Sequence, residues 1–273
     1  MWGAIAGDVI GSYFEHVPTK STQFYLFREE STFTDDTVLT AAVADWLLHD
    51  SDLVSTLQRY VRRYPDAGYG HTFLTWAQLR QRMPYQSWGN GSAMRVSPVA
   101  YAAETMADCL YLAKKSAEVT HNHQQGIYGA QATAACVFLA RTGKSKAEIQ
   151  DFVEHEFQYD LQRTLEEIRP HYVFDVSCQG SVPESIIAFL ESTDFESAIR
   201  NAISLGGDAD TMACIAGAIA EPFYGGVPAE ISQQVLPLLD DRLRTTVQTF
   251  HDRFVTGGLQ NSDRNQNDAT ESD

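Results

Sequence analysis

Residues 202–220 read AISLGGDADTMACIAGAIA, and this stretch decides the fold class. Apolar side chains before Gly206 recur at the i, i+3, i+4 spacing of a helix. The paired glycines then end this helix. After the acidic run at residues 208–211, residues 212–220 are apolar on every side, so the second helix should be buried. A buried helix needs other elements packed all around it, and the rest of the chain predicts more helices.

Helical periodicity predicts a single compact all-α domain over residues 1–256. Residues 122–141 are rich in Ala and Gly, and we expect them to form a central helix packed closely by its neighbours. Another helix is predicted to start at Ser181. Only residues 171–178 suggest an extended segment. Residues 257–273 have almost no apolar side chains and are predicted to be a disordered polar tail. Further helices are predicted at residues 38–48, 53–64, 105–118, 145–157, 194–205 and 229–253.

The 273-residue chain carries a formal net charge of −16 and has no basic stripe, which argues against nucleic-acid binding. No apolar stretch reaches the roughly 20 residues that span a bilayer, and the first residues lack the basic start of a signal peptide. The four cysteines lie far apart, without the spacing of a zinc or redox site. These features predict a soluble cytoplasmic protein with neither a membrane nor a nucleic-acid partner.

Two predicted helix starts are rich in oxygen ligands. Such residues often cap helices, because their side chains accept hydrogen bonds from free backbone N–H groups. Capping needs one acceptor per helix, however, and crowded carboxylates repel each other unless cations offset their charge. Carboxylates and hydroxyls without thiolate or imidazole are the ligands that Mg²⁺ or Mn²⁺ selects, so two such starts face to face would form a two-metal site. The residues are Thr34, Asp35 and Asp36 at one start and Asp208, Asp210 and Thr211 at the other.

Three further elements are candidates for chemistry or ligand binding. Glu15 follows an aromatic pair, where a carboxylate can have a raised pKa and serve as acid or base; an ordinary exposed glutamate is the alternative. The glycine-rich run at residues 88–95 offers backbone N–H groups around Asn90 to Ser92 for a phosphate, unless it is only a tight turn. His121 precedes the central helix, either as a surface histidine beside a cap or as a contact to a phosphate or sugar.

In order along the chain, six stretches resemble the ADP-ribosylglycohydrolase family, which includes dinitrogenase reductase-activating glycohydrolases and ADP-ribosylarginine and ADP-ribosylserine hydrolases. They span residues 3 to about 226, and the ordered series is highly specific although no single segment is. The stretches are GAIAGDVIGSYFE from Gly3, FTDDTVLTAAVADWLL from Phe33, WGNGSAMRVSPVAY from Trp88, THNHQQGIYGAQATA from Thr120, SCQGSVPESIIAFL from Ser177 and AIRNAISLGGDADTMACIAGAIAEPFYG from Ala198.

The resemblance implies an orthogonal all-α fold with two magnesium ions, sometimes manganese, at the bottom of a cleft. It implies that Glu15 is the catalytic glutamate, acting with Asp35 and Asp36 of the metal site. Ala209 stands where relatives often have Ser, and it is expected to point away from the metals. The implied metal ligands are Thr34, Asp35, Asp36, Asp208, Asp210 and Thr211. The implied substrate contacts are Gly89, Asn90, Gly91 and Ser92 at the ADP-ribose phosphates and His121 near the nucleotide.

The function predicted on this basis is hydrolysis of the glycosidic bond between C1″ of ADP-ribose and an acceptor, with release of ADP-ribose. The partner is then an ADP-ribosylated protein or a small molecule that contains ADP-ribose. Residues 37–87 match the relatives only loosely, so arginine, serine, another protein acceptor, a nucleic-acid base or a small molecule all stay open as the acceptor. Two other classes also stay open: a non-catalytic ADP-ribose-binding protein and a magnesium-dependent phosphoester hydrolase. Because all the metal-site carboxylates are present, the non-catalytic alternative is disfavoured.

Overall fold

A computed structural model of the chain describes residues 1–256, and within them it confirms the all-α prediction. No strand forms among these residues, and the predicted extended segment contributes only an isolated bridge between Gly89 and Ser177. A 3₁₀ turn lies at Leu236–Leu238 and a π-helical turn at Asp252–Thr256. The α-helices are α1 (Trp2–His16), α2 (Asp35–His49), α3 (Leu53–Arg63), α4 (His71–Gln78), α5 (Gly91–Met94), α6 (Ser97–Ala102), α7 (Met106–Glu118), α8 (Gln124–Arg141), α9 (Lys146–Phe157), α10 (Leu165–Ile168), α11 (Cys178–Leu190), α12 (Phe195–Ile203), α13 (Ala209–Phe223), α14 (Ala229–Val235) and α15 (Asp241–His251).

The helices α1 and α13 lie antiparallel and touch backbone to backbone. Gly3, Gly7 and Gly11 occupy one face of α1, one turn apart. A Cβ atom built on Gly7 would lie 2.0 Å from the carbonyl oxygen of Ala213, and one on Gly11 would lie 2.5 Å from that of Ala209. Only glycine permits this approach. The contact places the second half of α1 beside the first turn of α13, which carries the acidic residues.

We therefore expect the change Gly7→Ala to push α1 and α13 apart. Overpacking of this kind costs about 1–3 kcal/mol, which for a chain of this size lowers the melting temperature by roughly 2–12 °C. The matched control is Gly70→Ala, because a Cβ on Gly70 meets no atom within 4 Å. Thermal unfolding followed by circular dichroism measures the difference. Equal melting temperatures for the two variants would contradict the close contact.

The buried helices α8 and α13 form the centre of the molecule. Of the two, α8 contacts α7, α11 and α13, which confirms the predicted central helix. The predicted burial of residues 212–220 is also confirmed, since all nine residues are buried. No helix of residues 1–256 has the length and apolarity to cross a membrane. Within the same residues, all four cysteines are buried and unbridged. The predicted polar tail lies outside the described residues, so that prediction stays open.

Two predicted helix boundaries were wrong. The helix expected from Ser181 begins earlier, at Cys178, because the hydroxyl of Ser177 accepts a hydrogen bond from the Gly180 N–H at 3.0 Å and caps it. The single helix expected over residues 229–253 is divided into α14, a 3₁₀ turn and α15. Pro237 lacks the N–H that a continuous helix would need, and Asp240 then caps a new helix.

Candidate functional site

One cleft of about 790 Å³ contains most of the residues that the sequence marked as functional. Three helix ends contribute to its lining: the C-terminal end of α1 and the N-terminal ends of α2 and α13. A cleft of this volume is large enough for a nucleotide-sized ligand. Among the candidate residues that line it are Glu15, Thr34, Asp35, Asp36, Gly89, Asn90, Gly91, His121, Asp208, Asp210 and Thr211.

The acidic side chains form two groups that share one member. In each group, one carboxylate oxygen from each of three residues lies within 4.8 Å of the others. Asp8, Asp36 and Asp210 form the first group, and Glu15, Asp208 and Asp210 form the second. Residues more than 170 positions apart in the chain therefore converge, with the carboxylate of Asp210 between the two groups.

Asp8 belongs to the site although sequence reasoning did not select it. Its carboxylate accepts hydrogen bonds from the Thr34 N–H at 3.0 Å, the Thr34 hydroxyl at 2.7 Å and the Thr37 N–H at 3.0 Å, as well as from the Thr37 hydroxyl. These bonds occupy both carboxylate oxygens, so Asp8 orients Thr34 and the first turn of α2. The sequence signal was a carboxylate in the middle of an apolar, glycine-rich helix, a position where a buried charge needs partners.

Asp36 faces the start of α13 and has an unused oxygen. Its Oδ2 atom accepts a hydrogen bond from the Thr211 hydroxyl at 3.3 Å, and it lies 3.4 Å from the Thr34 hydroxyl, whose proton goes to Asp8. Its Oδ1 atom is buried and has no hydrogen-bond partner within residues 1–256. A buried carboxylate oxygen without a partner is costly, and a bound cation would satisfy it. The carboxylates and threonine hydroxyls together are hard oxygen donors, which fit a divalent cation such as Mg²⁺.

The raised pKa values of these carboxylates also indicate a site for cations. Burial raises the pKa values of Asp35, Asp36 and Asp208 well above the usual range, and the charge of Asp210 raises them further. Burial and then Asp210 also raise the pKa of Asp8 to about 7, despite its hydrogen bonds from Thr37 and Thr34. The positive ends of the α2 and α13 dipoles offset part of this repulsion, but several carboxylates share them. The residues fit a site that is neutralised by cations.

Unlike the acidic residues at the starts of α2 and α13, Glu15 lies near the C-terminal end of a helix. It lies in the last turn of α1, half-buried, where the negative end of the helix dipole disfavours a charged carboxylate. Burial raises its pKa, the charge of Asp210 raises it further, and neighbouring His16 lowers it by a smaller amount. Glu15 is therefore not the ordinary exposed glutamate that the sequence left open. It is a carboxylate suited to exchanging a proton in the cleft.

Two of the predicted ligands have further contacts at the cleft wall. Asp208 is the N-cap residue of α13, yet its side chain makes no capping hydrogen bond. Its Oδ2 atom instead accepts a hydrogen bond from the Asn90 side-chain amide at 2.7 Å. Asp35 lines the cleft with one oxygen close to Gly68, and it belongs to neither three-carboxylate group. Simple capping thus explains neither residue's position on the cleft.

Residues 89–93, which lead into α5 and form the 89–93 loop, differ from expectation in two details. The N–H of Asn90 is not free for a phosphate, because it donates to the carbonyl oxygen of Val176 at 2.8 Å. Ser92 is fully buried and its hydroxyl donates to the carbonyl oxygen of Gly126 at 2.7 Å, so its side chain does not face the cleft. Gly89 and Gly91 do line the cleft. Sequence alone could not show these hydrogen bonds, because their acceptors lie far away in the chain.

His121 is buried beside the 89–93 loop and is not a surface residue. Its Nδ1 atom lies 2.8 Å from the Thr120 hydroxyl, and its ring centre lies 6.1 Å from that of Tyr85. Burial lowers its pKa well below the usual range, and the positive charge of Arg95 lowers it further. The imidazole is therefore neutral near pH 7 and offers the cleft a hydrogen-bonding group without a charge.

Comparisons with known proteins show which family and which fold this chain shares. The sequence model of the family described as ADP-ribosylglycohydrolase matches residues 1–262. The chain is similar to ADP-ribosylhydrolase ARH3 of Mus musculus, at 30% identity over 82% of each chain. It is also similar to ADP-ribosylarginine hydrolase Tri1 of Pseudomonas putida (strain GB-1), at 25% identity over 85% of this chain and 72% of that protein. A solved structure titled ADP-ribosylglycohydrolase-related protein complex matches with a TM-score of 0.70 and 25% identity, covering 91% of this chain and 93% of that one.

Proposed function

Because this chain belongs to the ADP-ribosylglycohydrolase family, we propose that it hydrolyses the bond between C1″ of ADP-ribose and an acceptor, with two bound Mg²⁺ ions. Mn²⁺ is the alternative metal. The observation that carries the proposal is the pair of carboxylate groups that share Asp210 in a nucleotide-sized cleft. The products are ADP-ribose and the free acceptor, and the second reactant is water.

The residues that would hold the ions come from the starts of α2 and α13. Thr34 is a suitable ligand because its hydroxyl donates its proton to Asp8 and accepts from the Asp36 N–H, which leaves one lone pair for a cation. The Asn90 amide likewise orients Asp208. When bound, the ions would act as Lewis acids and as a template for the ribose hydroxyls. The proposed ligands are Thr34, Asp35, Asp36, Asp208, Asp210 and Thr211.

Glu15 is the proposed proton-transferring residue, with Asp35 and Asp36 completing the catalytic set. Its carboxylate either takes a proton from the attacking water or donates one to the leaving atom. Its raised pKa, caused by burial and by the charge of Asp210, supports a role in proton transfer. Glycosidic cleavage passes through an oxocarbenium-like transition state, whose positive charge the surrounding carboxylates would stabilise.

The rest of the cleft is proposed to bind the ADP-ribose. Gly89 and Gly91 present bare backbone to the cleft, which allows a diphosphate to approach closely. Asn90 and Ser92 complete this loop, Asn90 by holding Asp208 and Ser92 by anchoring the loop to Gly126. His121 lies beside the same loop and would contact the nucleotide.

Charge repulsion among the cleft carboxylates gives a testable prediction about Asp36 in metal-free protein. A raised pKa means that the folded state binds more protons than the unfolded chain. The free energy of unfolding in EDTA should therefore fall as pH rises from about 4, the ordinary aspartate pKa, through the folded values, which reach about 7 at Asp8. The change Asp36→Asn should make this fall smaller, because the amide cannot take up the proton that Asp36 binds in the folded state.

Metal binding should instead favour the wild-type protein over Asp36→Asn. At 100 times its dissociation constant, Mg²⁺ should stabilise the wild-type protein by about 2.7 kcal/mol, and it should stabilise Asp36→Asn far less. Urea unfolding at pH 5 and pH 8, in EDTA and in Mg²⁺, measures all these differences. An equal gain from Mg²⁺ in both proteins would show that Asp36 holds no ion.

The activity itself is tested by a panel of defined substrates with Mg²⁺ present, read by mass spectrometry. The panel contains peptides ADP-ribosylated on arginine and on serine, O-acetyl-ADP-ribose and a generic phosphate ester. Release of ADP-ribose from at least one substrate supports the proposal and identifies the acceptor. Release of phosphate alone would indicate a phosphoester hydrolase. Binding of ADP-ribose without any release would indicate a non-catalytic binding protein.

A further inference from the structure

A buried arginine belongs to the lining of the cleft and has no carboxylate partner. Arg95 is fully buried, and its Nη2 atom donates to the Ser116 carbonyl oxygen at 2.8 Å and to the Thr120 hydroxyl at 3.0 Å. Its Nε and Nη1 atoms have no hydrogen-bond partner, and no carboxylate lies within 4.0 Å of it among residues 1–256. Burial lowers the pKa of Arg95 to about 10, so it still carries its charge near pH 7. A buried charge without an ionic partner costs free energy, which indicates that Arg95 has a role beyond packing.

The Thr120 hydroxyl links Arg95 to His121. A guanidinium can only donate, so the Thr120 oxygen is an acceptor in its contact with Arg95. Within the described residues, the other partner of this hydroxyl is His121 Nδ1, at 2.8 Å. If Nδ1 carried the proton, the buried hydroxyl hydrogen of Thr120 would have no acceptor, which costs free energy. The hydroxyl therefore donates to Nδ1, and the ring proton belongs on Nε2.

The Nε2 atom of His121 faces the glycines of the 89–93 loop. It would lie 3.3 Å from a Cβ atom built on Gly91 and 3.8 Å from one on Gly89. His121, Gly89 and Gly91 all line the cleft. The protonated nitrogen thus lies where a ligand passing over the two glycines would come within hydrogen-bonding distance.

We propose that Arg95 and Thr120 hold His121 as the Nε2–H tautomer, so that the ring donates a hydrogen bond to an anionic ligand oxygen above Gly89 and Gly91. Arg95 and Thr120 are then positioning residues, and the positive charge of Arg95, which contacts the Phe73 ring but no carboxylate, favours an anion at this end of the cleft. The other end of the cleft, with its two three-carboxylate groups, attracts cations. A ligand that fits both ends would carry a diphosphate and also bind metal ions. The part of this inference that concerns the ligand rests on the proposed function.

The tautomer is measured directly by proton–nitrogen correlation spectra of the histidine side chains in the ligand-free protein. The His121 signals are identified by their absence in His121→Gln. Wild-type protein should show an unprotonated Nδ1 and a protonated Nε2. Thr120→Val, which removes only the hydroxyl, should give a mixture of both tautomers, whereas Thr120→Ser should keep the wild-type pattern. A proton on Nδ1 in the wild-type spectrum would overturn the proposal, even if Thr120→Val failed to fold.

Calorimetric titration with ADP-ribose in the presence of Mg²⁺ tests the ligand contact. Thr120→Val should weaken binding about tenfold, and Thr120→Ser should stay within about twofold of wild type. The matched control is Thr133→Val, because Thr133 is also a buried threonine but its hydroxyl has no partner within the described residues. Equal affinities for Thr120→Val and Thr133→Val would overturn the ligand contact. Wild-type protein that did not bind ADP-ribose would overturn the proposed function and this contact, while the spectra would still decide the tautomer.

Discussion

Replacing Asp210 by asparagine is expected to lower the rate of ADP-ribose release by about 10³-fold or more. Asp210 contributes an oxygen to both three-carboxylate groups, with Asp36 on one side and Asp208 on the other. An amide keeps the shape of the side chain but removes the charge, so both ion sites should lose affinity together. Losing the electrostatic stabilisation of a transition state typically costs several kcal/mol, and each 1.4 kcal/mol is a factor of ten in rate.

Initial rates and Mg²⁺ titration calorimetry measure the two effects of Asp210→Asn side by side. The matched control is Asp151→Asn, since Asp151 is exposed on α9, outside the cleft. The control should retain both activity and metal affinity. Turnover at the wild-type rate by Asp210→Asn, or hydrolysis that survives exhaustive EDTA treatment, would refute the metal assignment.

The change Glu15→Gln is expected to lower kcat by about 10²- to 10⁴-fold, the usual contribution of a positioned acid or base. Glutamine has the size of glutamate but cannot carry the proton. Glu15 belongs to the second three-carboxylate group, but Asp208 and Asp210 would still hold an ion there, so the affinities for Mg²⁺ and ADP-ribose should fall far less than kcat. A loss of kcat without a loss of binding is what distinguishes a proton-transferring residue from a ligand.

Glu30→Gln is the control for Glu15, because Glu30 lines the same cleft but is exposed to solvent. Its kcat should be close to that of wild type. An equal loss in both variants would mean that the cleft needs negative charge in general and no particular proton carrier. A Glu15→Gln protein that turned over like wild type would show that the catalytic carboxylate is a different residue.

Local sequence patterns were sufficient for most of the helices and for the identity of the acidic candidates. The apolar run at residues 212–220 predicted its own burial, and the oxygen-rich starts of α2 and α13 were visible because capping alone does not require so many acceptors. Errors occurred where a long-range contact or a single proline overrode local periodicity. Pro237 interrupted the predicted helix at residues 229–253, and the Asn90 N–H was taken by a carbonyl oxygen 86 positions away, that of Val176.

Asp8 illustrates why part of the candidate site could not be predicted from the sequence. The sequence contains 36 acidic residues, and Asp8 is one of them. Its importance depends on Thr34 and Thr37, which lie at the start of another helix. The hydrogen bond between Thr120 and His121 is similar: the two residues are adjacent in sequence, but its direction follows from Arg95 on a different segment. Hydrogen-bond accounting requires knowing every partner of a group, and those partners are set by the fold.

The sequence by itself determined the helical class of this protein, its relationship to a family and the residue types available for a metal site, because periodicity and side-chain chemistry are properties of short segments. Only the tertiary structure decided that these residues form one site. The glycine face of α1 against α13 brings the acidic turns within a few ångströms, and this approach depends on atoms of two backbones some 200 residues apart.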